Sequence, residues 1–135
     1  MPFTVCGNIN IYYDIKGTGP RFLYISGTGG DLRRPQNALT SAFPNHFETL
    51  SYDQRGLGQT DKPDRPYNMA EYAEDEANLL DVVGWEDCLV MGISFGGMVA
   101  QELALRHPGR VKNLYMAARQ AVVREAHPIL CTKFK

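Results

Sequence analysis

A chain of 135 residues that is 44% hydrophobic and 21% charged has the composition of one small globular domain with a sizeable core, not of a disordered or fibrous protein. Its net charge of −1 gives no electrostatic basis for binding nucleic acid or an anionic membrane. No apolar run approaches the length of a membrane span, Met1-Pro2-Phe3-Thr4 lacks the layout of a signal peptide, and Cys6, Cys88 and Cys131 are too scattered for a disulfide framework or a zinc site. The expectation is a cytoplasmic protein with reduced thiols and no metal or organic cofactor.

Residues 3–15 read as two strands, Phe3–Cys6 and Ile9–Ile15, around the turn Gly7-Asn8, because Ile9, Ile11, Tyr13 and Ile15 alternate with polar or amphipathic neighbours. After the turn cluster Gly17–Pro20, Arg21–Ser26 is a nearly unbroken apolar run, as a central parallel strand buried on both faces requires. The glycine-rich Gly27-Thr28-Gly29-Gly30-Asp31 follows. Leu39, Ala42 and Phe43 give residues 33–43 a modest helical period, closed by Pro44. Phe47–Tyr52 is a short strand that runs into the polar loop Asp53–Pro63, and Pro63 and Pro66 oppose regular structure there.

Asn68 followed by Glu71 is a capping box that opens a helix, and Gly84 is its expected stop. Tyr72, Leu79, Leu80 and Val83 form its apolar face, while Glu71, Glu74, Asp75 and Glu76 are expected on a solvated face near the favourable end of the dipole. The apolar run from Cys88 meets Gly92-Ile93-Ser94-Phe95-Gly96, and Phe95–Arg106 reads as a helix ended by Pro108-Gly109. Gly96, Ala100 and Ala104 give that helix a stripe of small residues for close approach to a sheet. Val111–Ala117 is one more strand. Strands alternating with helices indicate an α/β fold with a mostly parallel sheet and flanking helices. Residues 118–135 break the rhythm and read as a tail.

Strand, sharp turn and helix around Gly-x-Ser-x-Gly place Ser94 at an exposed apex, with small residues on either side for tight packing. Three loops, Ser26–Asp31, Asp53–Lys62 and Ser94–Gly97, follow three strand ends. In a parallel sheet those ends share one edge, where such folds hold ligands. Dinucleotide binding is disfavoured, because the third glycine of that fingerprint falls on Leu32 and no phosphate-loop lysine follows.

These loops resemble, in order, three signatures of the α/β-hydrolase fold: Ser26-Gly27-Thr28-Gly29-Gly30, Asp53-Gln54-Arg55-Gly56-Leu57-Gly58-Gln59-Thr60-Asp61-Lys62-Pro63, and Gly92-Ile93-Ser94-Phe95-Gly96-Gly97. His107-Pro108-Gly109-Arg110-Val111 is similar to the family's exit into the next strand, and the resemblance spans roughly residues 9–117. It is strongest to lactone hydrolases, esterases and cofactor-free haloperoxidases. The resemblance implies that residues 1–117 are the N-terminal portion of such a domain, a partial α/β-hydrolase fold, and that 118–135 are a non-matching C-terminal segment. It further implies that Ser94 is the nucleophile and that the backbone N–H groups of Phe95 and Thr28 form the oxyanion hole. Ser26 stands where the family commonly has histidine. Asp53 and Arg55 are expected to shape the rim of the site. A small ester or lactone is the implied substrate, and a dehalogenase is disfavoured because that chemistry uses a carboxylate where Ser94 stands.

The family's acid and histidine follow later strands, and this chain is expected to lack both. His46 lies at the other end of the sheet, and His107 is roughly 18 Å from Ser94 at about 1.5 Å per helical residue. His127, with Glu125 near it, lies in the tail, which has no resemblance to a catalytic loop. The alternative is therefore a catalytically dead short form that binds a ligand or a partner chain. By the same resemblance Val111–Ala117 becomes an exposed edge strand that invites self-association.

Overall fold

The computed structural model describes residues 3–117. A hairpin joins β1 (Phe3–Cys6) to β2 (Ile9–Lys16), with Gly7 at a φ of 62° in the turn. β3 (Arg21–Ile25), β4 (Glu48–Tyr52), β5 (Cys88–Ile93) and β6 (Val111–Ala117) complete a sheet of order β1-β2-β4-β3-β5-β6. β1, β2 and β4 pair antiparallel, whereas β4, β3, β5 and β6 are parallel, so the expected α/β architecture is present. Between the parallel strands run α1 (Met69–Val83) and α2 (Phe95–Arg106).

Leu23, Ile25, Leu50, Val90 and Leu114 turn one face of the sheet toward Ala73, Ala77, Leu80, Val99 and Leu103 of the helices, and all lie in one buried cluster. On the opposite face, Phe22 packs against Phe43 and Phe47 with ring centroids 5.0 and 4.9 Å apart. The register places Leu89 and Met91 on the same face as Phe22 and Tyr24, and in β5 both are only half buried. Among the described residues β6 pairs with β5 alone, from Cys88↔Val111 to Ile93↔Ala117, and forms one edge of the sheet.

Two sequence expectations need correction. Residues 33–43 do not form an α-helix; they contain the 3-10 turn Ala38–Thr40, and a second, Phe43–Asn45, follows. Asn37 is the cause. Its side chain accepts from the Leu39 N–H at 2.8 Å and donates to the Leu32 and Arg34 carbonyls at 3.2 and 2.8 Å, so it ties the backbone into a turn instead of a ladder.

The acidic face of α1 is not uniformly solvated either. The capping box forms as expected, with Asn68 accepting the Glu71 N–H at 2.9 Å and Glu71 accepting the Asn68 N–H at 3.1 Å. Gly84 ends the helix in the left-handed region at φ 75°. However, Asp75 is 4% exposed and Glu76 is fully buried. Their partners come from the end of β4 and the loop beyond it. Arg55 grips Asp75 through Nε at 2.7 Å and Nη2 at 2.8 Å and reaches Glu71 at 3.1 Å, while the Tyr52 hydroxyl donates to Glu76. Buried carboxyls persist where they are paired in this way. Glu74 points elsewhere, to His107 Nε2 at 2.8 Å.

Residues 118–135, with the tail residues Glu125, His127 and Cys131, lie outside the described residues. No helix among the described residues is long and apolar enough to cross a membrane.

Candidate functional site

Ser94 occupies the turn between β5 and α2 at φ 52° and ψ −117°, the only non-glycine at positive φ among the described residues. A serine in that region is strained by its Cβ, and such strain persists only where the surroundings over-determine it. Here they do. The Ser94 N–H donates to the Ala117 carbonyl at 2.7 Å, and its own carbonyl accepts the Gly97 N–H at 2.9 Å. A Cβ on Gly92 would stand 2.2 Å from the Gly96 carbonyl oxygen, and one on Gly96 would stand 2.3 Å from that of Ile25. Glycine at both positions lets strand and helix close on each other, which leaves the Ser94 side chain exposed at the apex. The small stripe completes the approach, with Ala100 and Ala104 buried against the sheet.

The loop after β3 lies alongside. A Cβ on Gly27 would meet the Ile93 carbonyl oxygen at 3.2 Å and Ser94 Cβ at 3.5 Å. Gly27 accepts from the Gly30 N–H at 3.2 Å, with Gly29 at φ 77°, which makes 27–30 a tight turn that requires glycine at its third position. Thr28 is exposed on this turn, one residue from the contact with Ser94. Among the described residues, the N–H groups of Thr28 and Phe95 have no hydrogen-bond partner. The Phe95 N–H also opens α2, where orphan donors and the helix dipole favour negative charge. Ser94, Phe95 and Thr28 are thus brought to one sheet edge.

The third loop supports the other two. Asp53 is buried; its carboxylate accepts the Leu32 N–H at 2.8 Å and the Gln59 N–H at 2.9 Å, and burial still raises its pKa above the ordinary carboxylate value. A Cβ on Gly58 would stand 2.2 Å from Asp53 Oδ2, so the loop curls around this carboxylate. Thr60 accepts the Tyr12 N–H at 3.0 Å and Asp61 accepts the Asn10 N–H at 2.8 Å, which pins the loop to β2. From Arg55, which lies 5.4 Å from the Tyr67 ring centroid, edge-to-face contacts Tyr67–Tyr72 and Tyr72–Phe95 lead back to the Ser94 turn. Asp53 and Arg55 are structural members of the site's surroundings.

Neither described histidine comes near Ser94. His46 packs its backbone against Gly19, ahead of β3, and His107 caps the far end of α2 on Glu74. Neither described thiol is a candidate nucleophile, since burial pushes Cys6 up to about 11 and Cys88 up to about 12. A cavity of about 350 Å³ lies against the loop after β3, walled by Ser26, Gly30, Asp31, Asn37, Phe43 and Asp53; Ser94 is not part of its wall.

The periodicity of the sequence did not reveal the buried Tyr52–Glu76 and Arg55–Asp75 pairs or the Gln54 side chain, which donates to the Ser26 carbonyl at 2.6 Å. One signal was available. Glu71 and Asp75 lie four apart on α1, the spacing at which two carboxylates can share one guanidinium.

A model of the alpha/beta hydrolase fold family matches residues 20–129. RutD of Azorhizobium caulinodans, whose name proposes a carbamate hydrolase, is 36% identical over 116 residues, which are 84% of this chain and 43% of that protein. Epoxide hydrolase 3 of Xenopus tropicalis is 31% identical over 119 residues, 76% of this chain and 32% of that one. Among solved structures, a hydrolase from Pseudomonas aeruginosa PA01 superposes with a TM-score of 0.77 at 32% identity, over 84% of this chain and 44% of its own. The enol-lactonase from Burkholderia xenovorans LB400 does so with a TM-score of 0.77 at 27% identity, over 84% and 45%. The chain therefore spans less than half the length of these relatives, and with its sheet order and its strand–turn–helix around Ser94 it belongs to the alpha/beta hydrolase fold family.

Proposed function

We propose that the protein of this chain is a serine hydrolase of small carboxylic esters or lactones, with Ser94 as nucleophile. The observation that carries the reading is the Ser94 turn, with a strained backbone, an exposed side chain and, next to it, the N–H groups of Phe95 and Thr28, which have no partner among the described residues. Ser94 Oγ would add to the carbonyl carbon while those N–H groups take the charge on the carbonyl oxygen. Collapse expels the alcohol and leaves an acyl-serine. Water then adds to that ester, releasing the carboxylic acid and restoring Ser94. A general base must take the hydroxyl proton in the first step and give it to the leaving alcohol. No base reaches Ser94 among the described residues, so the reading requires one from outside them.

Chemistry also separates the activities named among the relatives. Serine attack on an epoxide opens the ring to an alkyl ether, which water does not hydrolyse, so turnover would stop. Attack on an ester, lactone or carbamate leaves an acyl group that water can remove. The test is turnover of short-chain p-nitrophenyl esters and simple lactones beside a styrene oxide control. Ester or lactone hydrolysis that disappears in Ser94→Ala supports the reading. Epoxide opening that survives Ser94→Ala contradicts it.

A second reading rests on the absence of a described base and on the edge position of β6. A chain without its base would be a non-catalytic form that associates with another chain through Val111–Ala117, whose outer backbone groups have no strand partner among the described residues.

A further inference from the structure

Four consecutive side chains, Tyr52 to Arg55, leave the end of β4 toward two destinations. Tyr52 and Arg55 reach Glu76 and Asp75 on α1. Asp53 and Gln54 reach the two ends of the loop after β3: Asp53 Oδ1 accepts the Leu32 N–H at 2.8 Å, and Gln54 Nε2 donates to the Ser26 carbonyl at 2.6 Å. Gln54 is 1% exposed, and a carbonyl oxygen can be faced only by the nitrogen of its amide, so the orientation of the side chain follows from its acceptor. Its Oε1 is buried without a partner among the described residues. A half-satisfied buried amide is costly, and its presence calls for a reason.

The Ser26 carbonyl supplies that reason. A Cβ on Gly96 would stand 2.5 Å from the Ser26 carbonyl oxygen, so this group lies between the Gln54 amide and the first turn of α2. Two residues later comes Thr28. Rotation of the Ser26 peptide would carry the Gly27–Gly30 turn toward or away from Ser94, and the Gln54 amide opposes that rotation.

We propose that Gln54 is a positioning residue, whose amide holds the Ser26 carbonyl against Gly96 and thereby sets where the Thr28 N–H stands relative to Ser94. Its catalytic consequence rests on the reading of Ser94 and Thr28 given above, whereas the clamp itself does not.

Nitrogen–proton correlation spectra of the intact, isotopically labelled chain test the clamp. Gln54→Met keeps the side-chain length and removes the donor. The amide resonances of Gly27, Thr28 and Gly30 then shift, and the Gly30 N–H exchanges about tenfold faster, as expected when one hydrogen bond stabilising the turn is lost. The Leu32 N–H, held by Asp53, does not change. In Gln54→Glu, followed from acid to alkaline pH, the same perturbation sets in as the carboxyl ionises and is absent while it is protonated and keeps a donor. A side chain that merely fills space would produce no such pH dependence confined to residues 27–30. Unchanged loop resonances in both variants, or a Gln54→Glu perturbation indifferent to pH, overturn the clamp. If Gln54→Met does not fold, Gln54→Glu decides alone, since its two protonation states are compared in one protein.

Fluorophosphonate labelling run in parallel keeps the two readings apart. Labelling of Ser94 that slows about tenfold in Gln54→Met supports the catalytic consequence. An unchanged rate beside shifted loop resonances overturns it and leaves the clamp. No labelling of the wild-type chain removes Ser94 as nucleophile, while the loop resonances still decide the clamp.

Discussion

Ser94 holds a φ of 52° at a position where glycine would carry no Cβ penalty, and such a conformation costs on the order of 1–3 kcal/mol for other residues. The account predicts that Ser94→Gly raises stability by about 1 kcal/mol in urea denaturation, because the strain disappears and nothing in the fold is lost. Ser94→Ala keeps the Cβ and should show no such gain. A Ser94→Gly variant less stable than Ser94→Ala would contradict a strained turn. Ser94 and its glycines were legible in the sequence because a turn of this kind tolerates few residue types, so the pattern is written in identities. Gln54 was not. A single amide in a polar loop has no period, and its acceptor, the Ser26 carbonyl, is a backbone group that any residue would present.

At the scale of elements, the strands were legible from alternation and apolar runs, and α1 from its capping box and terminal glycine. The burial of Asp75 and Glu76 was not, since it depends on Tyr52 and Arg55, which lie in another element more than twenty residues earlier in one case and twenty in the other. Residues 33–43 misled because three apolar side chains imitate a helical period while Asn37 commits its amide to local carbonyls.

The Glu76 burial has a measurable consequence. Loss of hydration pushes its carboxyl well above the ordinary value, beyond what the Tyr52 hydroxyl restores. The folded state therefore holds a proton that the unfolded chain has released above its ordinary pKa of 4.5. The stability this supplies is complete below that value and is lost as pH rises through the folded-state pKa. Each pH unit in that window costs up to about 1.4 kcal/mol for the one proton involved. Glu76→Gln, which keeps an acceptor for Tyr52, should remove this part of the slope in urea titrations made at a series of pH values. An identical slope in the variant would show that Glu76 is not the group responsible.

For the whole molecule, the sheet order joins an antiparallel hairpin to a parallel array, and helices pack on one face while Leu89 and Met91 on the other stay half buried. Strand number was legible in the sequence, but the order was not, because crossovers leave no local mark. β6, an edge strand among the described residues, predicts concentration-dependent association. Sedimentation velocity over a range of concentrations should show a rising weight-average size that a charged residue in place of Tyr115 reduces. A monomer at every concentration would remove β6 from the account of partner binding.

The central claim is that Ser94 is a nucleophile held ready by its turn. A fluorophosphonate probe reacted with the folded protein, followed by peptide mass spectrometry, tests it most directly. The account predicts a single phosphonylated peptide carrying Ser94, absent in Ser94→Ala and after urea unfolding. Folded protein that takes up no probe, or takes it up at another residue, would contradict it.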